Sequence, residues 1–180
     1  FLIQSYYPVS IFFRKILLPL ILIYIFVLPL VLRFFPLQKI YFGYKFSLSE
    51  IVYIWVSGAV TMLLVVNVVL KNMWGRARPN DVSYFNGFQD FTPWYKISNA
   101  CASNCSFVSG DSSVGFLLVI FYFITKKNVY LYLGLVLGSL LGFIRIAAGG
   151  HFFSDIIFSQ IVVTVTILVS FVLYKKFYDK

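Results

Sequence analysis

The stretch Phe153–Tyr174 reads FSDIIFSQIVVTVTILVSFVLY, and it decides the class of fold. It carries one charged residue, Asp155, close to its start. As an α-helix rising 1.5 Å per residue it reaches about 33 Å, roughly the depth of a bilayer's hydrocarbon core. A soluble helix of that length needs a charged face, and this one has none. Four more apolar runs precede it, roughly Arg14–Phe35, Leu48–Leu70, Ser112–Thr125 and Val129–Ile146. The third is short and is expected to begin earlier, near Ser109 or Gly110. Pro19 and Pro29 lie inside the first run and predict bends there. The pattern predicts an all-α fold, a polytopic transmembrane helical bundle.

The composition agrees. Of 180 residues, 61% are hydrophobic and 12% are charged, and the mean hydropathy is +0.89. A soluble domain carries about 25% charge. That difference excludes a soluble globular domain, a disordered chain and a small disulfide-stapled scaffold. The length suits one domain, residues 1–180. The first residue is Phe1 rather than Met, so a further span upstream is expected, giving a six-span core of which about five spans lie in this chain. Residues 1–13 alternate apolar and polar groups and read as interfacial.

The net charge of +9 comes from 15 Lys and Arg against 6 Asp and Glu. In a soluble protein such a balance points to nucleic acid; here most bases flank apolar runs, where they set orientation and meet anionic lipid. No nucleic-acid partner is expected. If the runs alternate across the membrane, Arg33, Lys39, Lys45, Lys126, Lys127, Lys175, Lys176 and Lys180 share one face, taken as cytoplasmic. Arg14, Lys15, Lys71, Arg76, Arg78, Lys96 and Arg145 share the other. The bias is eight against seven, or eight against four once Lys71, Arg78 and Arg145 are set aside for chemistry.

The one long polar stretch, residues 71–111, is an outer-face loop, and loops of that length usually carry function. Three motifs lie in it and beyond it. Lys71–Asn–Met–Trp–Gly–Arg–Ala–Arg78–Pro79 ends the second run; seven residues are nearly two helical turns, so Lys71 and Arg78 are expected on one helical face, with Pro79 closing the helix. Ser109–Gly110–Asp111 opens the third run, where unpaired backbone N–H groups suit an anion. Arg145 and the sequence Gly149–Gly150–His151–Phe–Phe–Ser–Asp155 join the fourth run to the fifth, the two glycines turning the chain. All three sit on one side of the membrane.

His151 is the only histidine. Asp155, four residues on, is expected to take its Nδ1–H, fix the tautomer and leave Nε2 as nucleophile. Lys71, Arg78 and Arg145 around it would hold a tetrahedral dianion. The arrangement reads as phosphoryl transfer through a phosphohistidine, without a metal or other cofactor. Arg76 is expected at lipid head groups, Lys96 at the surface, and Trp74, Trp94 and Tyr95 in the aromatic belt. Gly134, Gly138 and Gly142 form a stripe for close helix packing.

The order K-x6-R-P, then Ser-Gly at a helix start, then R-x5-H-x3-D, resembles the type 2 phosphatidic acid phosphatase superfamily. The resemblance implies that Lys71, Arg78, Ser109, Gly110 and Arg145 bind phosphate, that His151 is the nucleophile, and that Asp155 orients it. The family's second motif ends in a histidine that protonates the leaving oxygen; here Asp111 stands in its place, either as general acid or as the group aligning the attacking water. Trp74–Gly75–Arg76, Asn104–Cys–Ser–Phe–Val108 and Gly149–Asp155 resemble more narrowly the bacterial lipid A 4′-phosphatase branch. That branch implies a lipid substrate, a multi-pass protein of the bacterial inner membrane, and a periplasmic active site. No obligate protein partner is implied. Cys101 and Cys105 are open to three readings: a metal pair, free thiols or a disulfide, the last preferred in an oxidising periplasm.

Two other readings stand beside this one. One is a related phosphatase acting on the lipid A 1-phosphate, undecaprenyl diphosphate or phosphatidylglycerophosphate, whose leaving groups need less acid assistance. The other is a non-catalytic lipid- or anion-binding membrane protein on the same scaffold.

Overall fold

The computed structural model describes residues 2–35 and 43–178, and Lys39 and Lys180 lie outside the described residues. The first helix, α1, spans Leu2–Leu22 and passes through a wider π-helical turn, Ile23–Val27, into α2, Leu28–Arg33. The irregularity falls between the two prolines that predicted it. Pro29 has no N–H to donate, and its ring crowds the carbonyl four residues back. The Phe26 carbonyl takes its hydrogen from Trp55 Nε1 at 2.9 Å, which spares a bare backbone group at membrane depth. Residues 2–13 do not form a separate interfacial segment: they are the first turns of α1, and the candidate span Pro8–Arg33 already includes half of them.

The second span begins at α3, Leu48–Ala59, behind a capping box. Glu50 N donates to Ser47 Oγ, and Ser47 N donates to Glu50 Oε2 at 2.7 Å. It continues as a π-helix, Val60–Asn72. Next come α4, Gly110–Phe116, and α5, Val119–Thr125, which together make the shorter apolar helix Gly110–Thr125; its start at Gly110 is the one the sequence indicated. The last two are α6, Asn128–Ala147, and α7, Phe153–Tyr178. Four helices are long and apolar enough to cross a membrane, and no strand is present among the described residues. The fold is an all-α polytopic bundle, and the protein is a multi-pass membrane protein.

α4 is the buried centre of the bundle. Ser112, Ser113, Val114, Gly115 and Phe116 are all inaccessible to solvent. The glycine stripe of α6 lets it come this close: a Cβ on Gly138 would lie 2.4 Å from the Phe116 ring, and one on Gly142 would lie 2.5 Å from Ile156. Ser112 Oγ donates to the Gly138 carbonyl at 2.6 Å across the same contact. The start of α4 is thereby fixed against the junction between α6 and α7, and the chemistry-bearing motifs meet at that end.

The sequence reading fails at the end of the second span. The helix stops at Asn72, and Gly75, with φ of +65°, turns the chain where a Cβ would strike the Ser98 carbonyl. Arg78 is extended, with φ −79° and ψ 157°, so it does not share a helical face with Lys71, and Pro79 opens a 3₁₀ turn, Pro79–Asp81, rather than closing a helix. Trp74 and Trp94, expected in the aromatic belt, also pack onto the bundle. Trp74 Nε1 donates to the Trp94 carbonyl at 2.8 Å, and the Trp94 ring packs on Phe158 of α7 at 4.3 Å between centroids.

Candidate active site

His151 sits in the turn between α6 and α7 and is buried. Its Nδ1 lies 2.7 Å from the Ser106 carbonyl oxygen. A carbonyl only accepts, so Nδ1 carries the hydrogen and Nε2 keeps its lone pair. Asp155 Oδ2 is farther from Nδ1, at 3.5 Å. The tautomer is therefore set chiefly by Ser106, not by Asp155 as the spacing suggested. Asp155 acts one step back, because Ser106 Oγ donates to its Oδ2 at 2.5 Å and Phe152 N donates to the same oxygen at 2.9 Å. Burial pushes the imidazole below its ordinary pKa; the hydrogen bond and charge of Asp155 oppose that, and the charges of Arg78 and Arg145 add to it. The ring is neutral at neutral pH.

The other oxygen of Asp155 belongs to Arg76, whose Nη1 donates to Oδ1 at 2.5 Å. Arg76 was read as facing lipid head groups; its side chain is only 3% exposed and that of Asp155 is 0% exposed. Arg76 also donates to Ser154 Oγ at 2.8 Å and to the Thr92 carbonyl at 2.9 Å, and its guanidinium lies 4.2 Å from the Phe152 ring centroid. Its backbone carbonyl accepts from Ser106 N at 2.9 Å. Arg76, Ser106 and Asp155 form one closed buried network around the imidazole. The available signal was Gly75: a glycine followed by Pro79 breaks the helix and frees both arginines from helical spacing.

The predicted phosphate ligands do converge. Lys71 and Arg78 are joined by Asn104, which carries part of the narrower resemblance but no assigned role. Lys71 Nζ donates to Asn104 Oδ1 at 3.1 Å, and Arg78 Nη2 donates to the Asn104 carbonyl at 2.6 Å. Asn104 adopts positive φ, 49°, inside the short loop closed by a Cys101–Cys105 disulfide. The bridge therefore constrains Asn104 directly. Arg78 Nη1 approaches the Gly150 carbonyl at 3.4 Å, which ties the first motif to the third. Asn80 N adds a bond to the Gly149 carbonyl at 3.2 Å. Burial, then the charge of Arg14, lowers the Arg78 pKa, with Asp111 opposing.

Two glycines leave room for these cations. A Cβ on Gly110 would sit 3.2 Å from Lys71 Nζ, and one on Gly150 would sit 2.3 Å from Arg145 Nη2. Ser109, fully buried, caps α4 by accepting from Ser112 N at 3.4 Å, and its hydroxyl hydrogen is not consumed by that bond. Arg145 is buried at the end of α6; its Nη1 donates to Ser10 Oγ at 3.1 Å, and its Nε lies 3.3 Å from Asp111 Oδ2. Asp111 also pairs with Arg14 at 3.1 Å. Neither Ser10 nor Arg14 was singled out from the sequence.

Lys71, Arg78, Arg145 and Arg14 thus surround one carboxylate, Asp111, while Arg76 and Asp155 neutralise each other. Four cations against one anion, partly desolvated at a helix start, make an anion site. Among the described residues, no group of three or more His, Cys, Asp or Glu side chains gathers as metal ligands would. A neutral imidazole with an available lone pair beside such a site can attack an electrophilic phosphorus.

The chain is similar to known proteins. The chain is 45% identical over 121 residues to a protein named Lipid A 4′-phosphatase from Francisella tularensis subsp. novicida (strain U112), covering 65% of this chain and 53% of that protein. It is 37% identical over 98 residues to a protein of the same name from Rhizobium leguminosarum, covering 53% of this chain and 42% of that one. A third of that name, from Rhizobium etli, is 37% identical over 97 residues, or 52% and 38% of the two chains. The chain spans about half or less of the length of these relatives. No solved structure matches it. The resemblance first read from the motifs is borne out, and the PAP2 superfamily profile covers residues 52–179, so the chain belongs to the PAP2 superfamily.

Proposed function

We propose that the protein is a membrane lipid phosphatase that removes the 4′-phosphate monoester of lipid A at the periplasmic face of the inner membrane, through a phosphohistidine and without a metal. The observation that carries the reading is the 2.7 Å contact between His151 Nδ1 and the Ser106 carbonyl, which leaves Nε2 unprotonated beside Lys71, Arg78 and Arg145. The relatives' printed names support the 4′ position, and the excess of bases on the opposite face supports the periplasmic side.

In the first step the lipid phosphate enters the cation cluster with its oxygens facing Lys71, Arg78, Arg145, the Ser109 hydroxyl and the backbone N–H groups that open α4. Nε2 attacks phosphorus; the N–P bond forms as the P–O bond to the sugar breaks. The sugar oxygen takes a proton from a solvent water molecule and leaves as the alcohol. The imidazole becomes cationic, and Ser106 and Asp155 hold its Nδ1–H side. In the second step water attacks phosphorus from the vacated side and gives its proton to the solvent, and the N–P bond breaks to release inorganic phosphate and a neutral His151. The charge neutralisation that a metal would otherwise supply falls to the three cations.

The test is phosphate release by the purified protein from lipid A, phosphatidylglycerophosphate and undecaprenyl diphosphate, with the lipid products placed by mass spectrometry. Loss of one phosphate from lipid A, with fragments locating it at 4′, in the presence of EDTA, is the expected result. Release only from another lipid would keep the mechanism and discard the substrate. Release from none by the folded protein would leave a lipid-binding role.

A further inference from the structure

Two side chains of α1 reach the phosphate site, although the family motifs lie wholly in residues 71–155. Ser10 is fully buried and accepts from Arg145 Nη1 at 3.1 Å. Arg14, one helical turn later on the same face, places Nε 3.1 Å from Asp111 Oδ2. The same oxygen lies 3.3 Å from Arg145 Nε. One carboxylate oxygen therefore holds two guanidiniums from different helices.

Arg14 is also the most accessible of the four cations. Its side chain is 51% exposed, against 10% for Arg145 and 15% for Asp111. It makes no other hydrogen bond or ion pair among the described residues. Its charge acts on both Lys71 and Arg78. A half-exposed guanidinium tethered at one nitrogen keeps donors for an incoming phosphate.

Resting on the phosphatase reading above, we propose that Arg14 is a fourth phosphate-binding cation, supplied by α1, and that Asp111 is the positioning residue for Arg14 and Arg145 rather than the proton donor to the leaving group. As a donor, Asp111 would have to be neutral, and both guanidiniums would then lose the charge that gathers them. As a carboxylate it sets their spacing, and it opposes the mutual repulsion of Arg14, Arg145, Lys71 and Arg78 while no substrate is bound. The substrate dianion takes over that duty on binding.

The two roles separate by leaving group. A nitrophenolate departs without protonation, whereas a sugar or alkyl oxygen needs a proton. The experiment compares kcat and KM of the wild type, Asp111→Asn, Arg14→Gln, Arg14→Lys and the Asp111→Asn, Arg14→Gln double variant. Each is assayed on an alkyl phosphate and a nitrophenyl phosphate bearing the same acyl tail. The expected result is a 10- to 100-fold loss of kcat/KM for Arg14→Gln and for Asp111→Asn, equal on both esters. Arg14→Lys should recover part of it, and the double variant should lose no more than about threefold beyond Arg14→Gln alone. A loss by Asp111→Asn confined to the alkyl ester would make Asp111 the acid and overturn the positioning role. Arg14→Gln acting like the wild type would overturn the fourth cation, and Arg14 is exposed enough that this variant does not endanger folding. A wild type inactive on every phosphate ester would instead bring down the phosphatase reading, and this proposal with it.

Discussion

Removal of the Arg76 guanidinium is the sharpest perturbation of the network around His151. In Arg76→Gln, the Asp155 carboxylate loses its cation while remaining fully buried. Breaking a buried pair from one side costs about 3–5 kcal/mol, because the remaining charge has no solvent to turn to. The guanidinium's contact with the Phe152 ring adds to the loss, by about 1 kcal/mol. At 2–4 °C per kcal/mol for a chain of this size, melting should fall by roughly 8–24 °C. A second consequence concerns catalysis. With Arg76 gone, the nearest group able to carry a compensating charge is His151, whose Nδ1 is 3.5 Å from Asp155 Oδ2. The imidazole then binds its proton more tightly. The sign follows from the direction already present: burial lowers the His151 pKa, so in the wild type the acid limb of kcat/KM lies below the ordinary histidine value of about 6.5. In Arg76→Gln that limb moves to higher pH, and the neutral, nucleophilic fraction at pH 6 falls. The assays are thermal melting in detergent and kcat/KM against pH, which reports the free enzyme. The double variant Arg76→Met, Asp155→Leu should recover much of the stability and none of the activity. A melting point within about 2 °C of wild type, or an acid limb that does not move, would refute the view that Arg76 holds Asp155 in charge balance.

Three further outcomes follow from the same geometry. His151→Ala should abolish turnover, and rapid acid-free quenching of the wild type with labelled substrate should trap a phosphorylated His151 that Asp155→Asn accumulates at least 100-fold more slowly; wild-type turnover by either variant would remove the mechanism. Asn104→Ala should lower kcat/KM about tenfold while melting changes little, because the exposed Asn104 organises Lys71 and Arg78 rather than the core; reducing the Cys101–Cys105 bridge should do the same more weakly, as measured by kinetics with and without dithiothreitol. Gly150→Ala should cost more than tenfold in kcat/KM, since its methyl would occupy the place of Arg145 Nη2, and phosphate inhibition constants should weaken in parallel.

The parts of the molecule that were readable in advance are those where one physical constraint acts locally. Bilayer thickness fixes run length, so Leu48–Leu70 and Val129–Ile146 lie within two residues of the helices Leu48–Asn72 and Asn128–Ala147. The third helix starts at Gly110 because Ser109 is a capping residue, and capping chemistry is visible in three letters of sequence. The glycine stripe of α6 required close packing whatever its partner was, and the partner proves to be Phe116 and Ile156. The parts that were not readable depend on a contact between distant segments. Arg76 was placed at the surface because a fully buried arginine is rare without a partner. That partner, Asp155, lies 79 residues away. Spacing between Lys71 and Arg78 was measured on a helix that ends at Asn72, so the correct convergence was reached for the wrong local reason; Asn104 brings them together instead.

α1 was the largest omission, and it has a physical cause. The motifs lie at the end of the second span and in the loop after it, at the start of α4, and at the junction of α6 and α7. A helix that only completes an electrostatic balance leaves a weaker trace: one buried Ser10, and one Arg14 that reads only as a base flanking an apolar run. Yet the balance needs it. Lys71, Arg78 and Arg145 are held together in a partly desolvated site by one carboxylate, and that carboxylate is itself shared with Arg14. The anion site is therefore set by charge from α1 as well as from the motif-bearing segments, and His151 is held by the internally neutral network of Arg76, Ser106 and Asp155. On the proposed mechanism this division leaves the cations for the dianion, while Asp155, already paired with Arg76, favours the neutral imidazole as the nucleophile.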